Sequence, residues 1–133
     1  GAALDWREAV PTAFAVCDDE TYFRDKVAAI AKEFTKQYKN LPGPEGLNYL
    51  VLDQYKGTGY ALSTPEELRF IQEIAQQEGL ILDPVYTGKA FLGMVSQLRA
   101  RKTFRKGSTL IFIHTGGIYG LFPKSSEFFG GLE

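Results

Sequence analysis

Three residue types that usually announce chemistry are nearly missing from these 133 residues, which hold one cysteine, one histidine and one methionine. A single thiol, Cys17, excludes an internal disulfide and any multi-cysteine metal site. It closes an apolar run, so a buried structural thiol is a simpler reading than a nucleophile. With His114 as the sole imidazole, a zinc site would rest mostly on carboxylates, and no metal is expected. No apolar run approaches the roughly 18–20 residues of a membrane span, and no signal-peptide pattern opens the chain. Charge of one sign is also lacking, because fifteen basic and sixteen acidic residues leave a net −1. That balance gives no footprint for nucleic acid or an anionic membrane. The one basic cluster, Arg99, Arg101, Lys102, Arg105 and Lys106, falls where a helix should end, and macrodipole compensation explains it. No nucleic acid and no membrane are expected as partners, and a cytoplasmic setting is the default. GxGxxG, the P-loop, HExxH and a Ser–His–Asp order are absent as well.

What is present is an ordinary globular composition, 44% hydrophobic and 14% aromatic, enough for one α/β domain over 1–133. "PTAFAVC" (11–17) reads as a strand, closed by Asp18 and Asp19, both good helix caps. Phe23, Val27, Ile30, Phe34 and Tyr38 then recur at spacings of three and four, the face of a helix. "NLPGPEG" (40–46) is a loop and "LNYLVLD" (47–53) a second strand. "YKGTGYAL" (55–62) is too polar and glycine-rich for a regular element. Thr64, Pro65 and Glu67 spell a capping box ahead of a helix that Gly79 should end. "LILD" (80–83) is a third strand-like run. A helix from about Gly88 to Arg101 carries Phe91, Met94, Val95 and Leu98 on one side. "TLIFIH" (109–114) is a fourth strand, broken by "TGG" (115–117). Alternating strands and helices predict a mainly parallel sheet with flanking helices, and strands apolar throughout predict that both its faces are covered.

In such sheets ligands bind beyond the carboxyl ends of the strands. Three segments leave strand ends with glycine beside a hydroxyl: "YKGTGYAL", "DPVYTGKA" and "HTGGIYG". Each has a plain alternative. Tyr60 and Tyr86 suit half-buried core positions, Thr87 suits a helix start, His114 suits a hydrogen-bonded structural role, and Thr115–Gly117 suits a tight turn.

Read together, "VCDDETYF", "GTGYALSTPEEL", "GLILDPVYTGKAFLGM" and "LIFIHTGGIYGLF" resemble the D-cysteine desulfhydrase / 1-aminocyclopropane-1-carboxylate deaminase family, in order and spacing, from about residue 14 to 122. These are pyridoxal-phosphate enzymes of the tryptophan-synthase-β-like fold. The resemblance implies the C-terminal part of their large domain. It implies catalytic roles for Tyr86 and Tyr60, and cofactor contacts for Thr115, Thr87 and Gly116. The two positions near the pyridine nitrogen look like Glu and Leu in the deaminases. Here they are Thr87 and Thr115, which resembles the desulfhydrase side. A carboxylate there keeps the ring a strong electron sink, whereas a neutral hydroxyl leaves it weaker, which suffices to expel a thiol.

The implied activity is β-elimination of D-cysteine to pyruvate, ammonia and hydrogen sulfide. The alternatives are the deaminase, or a non-catalytic α/β binding domain or subunit completed by another chain. None of the nine lysines sits in the family's context for the lysine that links the cofactor, and its phosphate loop lies upstream of any motif quoted above. The chain begins at Gly1 and its single Met is Met94. It is therefore expected to start after a natural start, to need the N-terminal part of the enzyme, and to be inactive alone. The expected partners are that part, a small amino-acid substrate and a second copy in a homo-oligomer.

Overall fold

The computed structural model describes residues 9–39 and 43–129. Two parallel strands, β1 (Thr12–Phe14) and β2 (Leu50–Leu52), pair with Ala13 opposite Val51. Helix α1 (Glu20–Gln37) connects them, and its start is set by Asp19, whose carboxylate accepts from the Tyr22 amide at 2.8 Å. Asp53, just past β2, accepts from the Glu20 amide and ties the end of one strand to the head of that helix. Helix α2 (Pro65–Glu78) forms with the capping box its sequence spells: the Glu67 amide donates to Thr64 Oγ1, and Glu67 Oε2 accepts from the Thr64 amide. Gly79 ends it at φ +67°. Helix α3 (Thr87–Ala100) packs on α2 and β1, so closely that a Cβ on Gly88 would lie 2.5 Å from Ile71 Cδ1. A 3-10 turn over Ile118–Lys124 leads into the short helix α4 (Ser125–Phe129), docked by Gln72 Nε2 donating to the Phe128 carbonyl. Ala15, Val51, Leu68, Ile71 and Leu82 make the core, and burying an aliphatic side chain of that size stabilises by about 1.5–3 kcal/mol.

The α/β class and the parallel pairing hold, but the four-stranded sheet does not form among the described residues. "LILD" is not a strand. The Asp83 amide donates to Thr87 Oγ1 and the Asp83 carbonyl accepts from the Gly88 amide, so the run turns into α3 instead of joining a ladder. "TLIFIH" is not a strand either. An apolar β-branched run becomes a strand only where a neighbour takes its N–H and C=O groups, and none does here. Ile111 and Ile113 lie exposed, so both-face coverage fails too.

Three further expectations are corrected. The stripe on α1 is unburied, with Ile30, Phe34 and Tyr38 exposed; among the described residues α1 rests mainly on β2 and the Pro44–Gly46 turn. The deepest face of α3 is not Phe91, Met94, Val95 and Leu98 but Thr87, Gly88, Lys89, Gly93 and Gln97, small or polar residues that fit the tight approach to α2 and β1. Cys17 is half-buried, not buried, and its thiol donates to Asp18. Of the expected loop at 40–46, residues 40–42 lie outside the described residues.

Candidate active site

The junction between Leu82 and α3 is organised by Asp83, whose side chain is 1% exposed. Its Oδ2 accepts from the amides of Val85 and Tyr86, and its Oδ1 from the amide of Thr87, all at 2.8 Å. The Thr87 hydroxyl donates to Oδ1 at 2.6 Å and accepts from the Asp83 amide. One carboxylate thus satisfies amides that a helix start leaves unpaired, and the turn it closes leaves Tyr86 at the surface. The start of α3 is thereby filled from within, so it is no seat for a phosphate.

Tyr86 meets Tyr60 of the glycine-rich loop. Their hydroxyls are hydrogen-bonded to each other and their rings stand edge-on, 6.0 Å apart. Both are exposed, Tyr60 at 56% and Tyr86 at 43%, so neither is the core tyrosine of the plain reading. The Tyr60 bond, with a smaller push from burial, raises the Tyr86 phenol above its ordinary value. Ser63 Oγ adds a second tie across the same boundary by donating to the Pro84 carbonyl.

The "HTGG" turn closes the third side. His114 Nε2 bonds the Ile81 carbonyl at 2.8 Å and Nδ1 accepts from the Gly116 amide at 3.1 Å. Only the neutral ring protonated on Nε2 makes both bonds, so His114 is a strut, as its plain reading had it. Gly117, at φ +93°, lies against Asp83, and a Cβ there would come within 2.6 Å of Oδ1. Thr115 is exposed and its hydroxyl bonds no other described residue. Gly116, at φ +90°, has open space where a Cβ would point. The three hydroxyl-bearing segments therefore gather at one place, around Asp83. Among the candidates Thr87 alone is buried, at 2% exposed, with its hydroxyl committed to Asp83.

Residues 8–116 match the family described as pyridoxal-phosphate dependent enzyme. The chain belongs to that family. It is 37% identical over 127 residues to the bifunctional D-cysteine desulfhydrase/1-aminocyclopropane-1-carboxylate deaminase, mitochondrial, of Arabidopsis thaliana, covering 96% of this chain and 30% of the relative. It is 46% identical over 70 residues to a D-cysteine desulfhydrase of Serratia proteamaculans, covering 53% and 21%. A crystal structure of an ACC deaminase homologue superposes with TM-score 0.81 at 30% identity, covering 98% of this chain and 38% of that one. The chain thus spans between 21% and 38% of these proteins' lengths.

The family's cofactor is pyridoxal phosphate, and the residues present fit the edge of its ring. Thr115 offers a hydroxyl that bonds no other described residue, Gly116 offers bare backbone, and the phenols of Tyr60 and Tyr86 face solvent. No helix of the described residues is long and apolar enough to cross a membrane, and no group of three or more His, Cys, Asp or Glu among them could hold a metal.

Sequence reasoning passed over two residues of the site. Asp83 carried a legible signal, an Asp four residues ahead of a Thr at a helix start, the spacing of a side-chain cap. Lys89 carried almost none, yet it is 1% exposed and its ammonium donates to the carbonyls of Lys56 and Gly59, each at 2.7 Å.

Proposed function

We propose that this chain supplies one wall of the active site of a pyridoxal-phosphate-dependent D-cysteine desulfhydrase, a cytoplasmic lyase releasing pyruvate, ammonia and hydrogen sulfide. The observation that supports it most is the bonded pair of exposed phenols, Tyr60 and Tyr86. The bound cofactor supplies an electron sink for the carbanion at the substrate Cα. The rest falls to side chains. One hydroxyl of the tyrosine pair donates to the other, which leaves one phenolic proton free to point outward. The pair, with the Tyr86 phenol raised, keeps its protons at neutral pH and offers the outward one to the departing sulfur rather than acting as a base. Thr115 would offer the pyridine nitrogen a neutral hydroxyl partner, and Gly116 would let the ring approach the backbone. Thr87 contributes through Asp83, by fixing the turn that carries Tyr86. A second subunit and the remainder of the enzyme complete the site in this proposal, so the chain alone is inactive.

The test is sulfide and pyruvate release from D-cysteine by the full-length protein. Tyr86→Phe should lower kcat by about 10²–10⁴, the range of a lost proton donor. The rival activity, ring opening of 1-aminocyclopropane-1-carboxylate, is favoured by the name of the solved neighbour, and release of 2-oxobutyrate without sulfide would decide for it. Unchanged turnover in Tyr86→Phe would remove the tyrosine pair from the chemistry.

A further inference from the structure

Lys89 stands in the first turn of α3, where a cation opposes the helix macrodipole, so helix stability does not account for it. It is also buried, which costs free energy for an ammonium unless its N–H groups are matched. Burial does push its ammonium below the ordinary lysine value, and the nearby Glu67 carboxylate offsets only part of that. What matches the ammonium is loop backbone. The carbonyls of Lys56 and Gly59 accept from Nζ across 33 and 30 residues of chain. Between them Gly57 sits at φ +67°, where a Cβ would crowd Glu67 Oε1 at 2.9 Å and touch Lys89 Nζ at 3.5 Å. The residue that follows the second carbonyl is Tyr60. The loop has no regular secondary structure of its own; the Leu62 amide bonds the Gly59 carbonyl within it at 3.3 Å, and the Lys56 amide reaches back to the Asp53 carbonyl at 3.4 Å.

We propose that Lys89 is a positioning residue for the tyrosine pair: its buried ammonium draws the glycine-rich loop onto α3 and so holds the Tyr60 hydroxyl against that of Tyr86. This rests on the proposed role of the pair, and it adds a residue that touches neither substrate nor cofactor. The same contact defines the approach to the site, because Tyr60 without its tether is a surface side chain on an irregular glycine run.

The experiment uses full-length protein carrying Lys89→Met, a near match in shape without the charge. Two readouts report on the tether and neither needs activity. Amide hydrogen exchange over residues 57–62 should accelerate about tenfold or more as that loop opens locally. The ionisation of Tyr86, followed by NMR of ring-labelled tyrosine and assigned with Tyr86→Phe, should fall back toward the ordinary tyrosine value as the Tyr60 bond is lost. Val51→Ala, a core truncation away from the loop, lowers stability without moving Tyr86 and controls for softening in general. Lys89→Ala with added propylammonium, which replaces the missing atoms, should recover both readouts. A folded Lys89→Met protein with unchanged loop exchange and unchanged Tyr86 ionisation overturns the proposal. So does a Lys89→Ala protein, folded or not, that propylammonium leaves unaltered. Failure of the unsubstituted protein to release sulfide from D-cysteine would sink the proposed substrate while leaving these readouts intact.

Discussion

Between Asp83 and Lys89 the chain buries a carboxylate, a hydroxyl and an ammonium; between 111 and 119 it exposes three isoleucines and a tyrosine. Hydropathy predicts the reverse for both. In the first region every buried polar side-chain atom has a hydrogen-bond partner, and the partners are mostly backbone groups of the same turn or of the adjoining loop. In the second, apolar residues have no neighbouring strand to cover them. Burial here follows which groups can be satisfied, and apolar character counts only where a partner surface exists.

The comparison breaks most severely at Asp83. Asp83→Ala leaves the amides of Val85, Tyr86 and Thr87 and the Thr87 hydroxyl without their acceptor. Each buried orphan costs about 1–3 kcal/mol, though the outer amides can recover water, so a total loss of about 3–5 kcal/mol is expected. Denaturant unfolding measures it. A loss under about 1 kcal/mol would mean the turn is held by chain stiffness, with the carboxylate an accessory.

Thr87→Val is the gentler cut, since it keeps the shape and removes one hydroxyl that both donates to Oδ1 and accepts from the Asp83 amide. The stranded amide dominates, at about 1–3 kcal/mol. Thr87→Glu should be worse than Thr87→Val, because it brings a second carboxylate to a site where Asp83 is already buried. Equal stability of the two variants would show that the Thr87 side chain can swing out to solvent.

These residues also mark how far the sequence could be read. Caps and glycine stops were legible because they depend on neighbours in the chain: Asp19, Thr64, Glu67 and Gly79 all do what local chemistry asks. The gathering of "GTGYAL", "DPVYTG" and "HTGG" was legible from the positions of glycine and hydroxyls after apolar runs, even though two of those runs are not strands. Lys89 was not legible, because its partners are carbonyls some thirty residues away and a carbonyl carries no residue identity. The exposure of "TLIFIH" was not legible either, since strand propensity states what a segment would do beside a neighbour and not whether the neighbour is there.

The smallest effect belongs to the exposed run, and it is the sharpest test of the contrast. Ile113 is 75% exposed, so Ile113→Thr removes little apolar area from any core. In the 133-residue chain it should change stability by no more than about 0.5 kcal/mol, the range of surface substitutions. The same change should lower self-association, because it interrupts an exposed β-branched run open to edge-to-edge pairing. Sedimentation reads that effect apart from stability. In the full-length protein the expectation changes if the run is covered there: burying an isoleucine is worth about 1.5–3 kcal/mol, so the substitution should then cost an amount of that order. A cost near zero in both settings would mean that the run is a true surface of the enzyme. A large cost in the short chain would mean that Ile113 already has a partner within these 133 residues, and the contrast between the two regions would disappear.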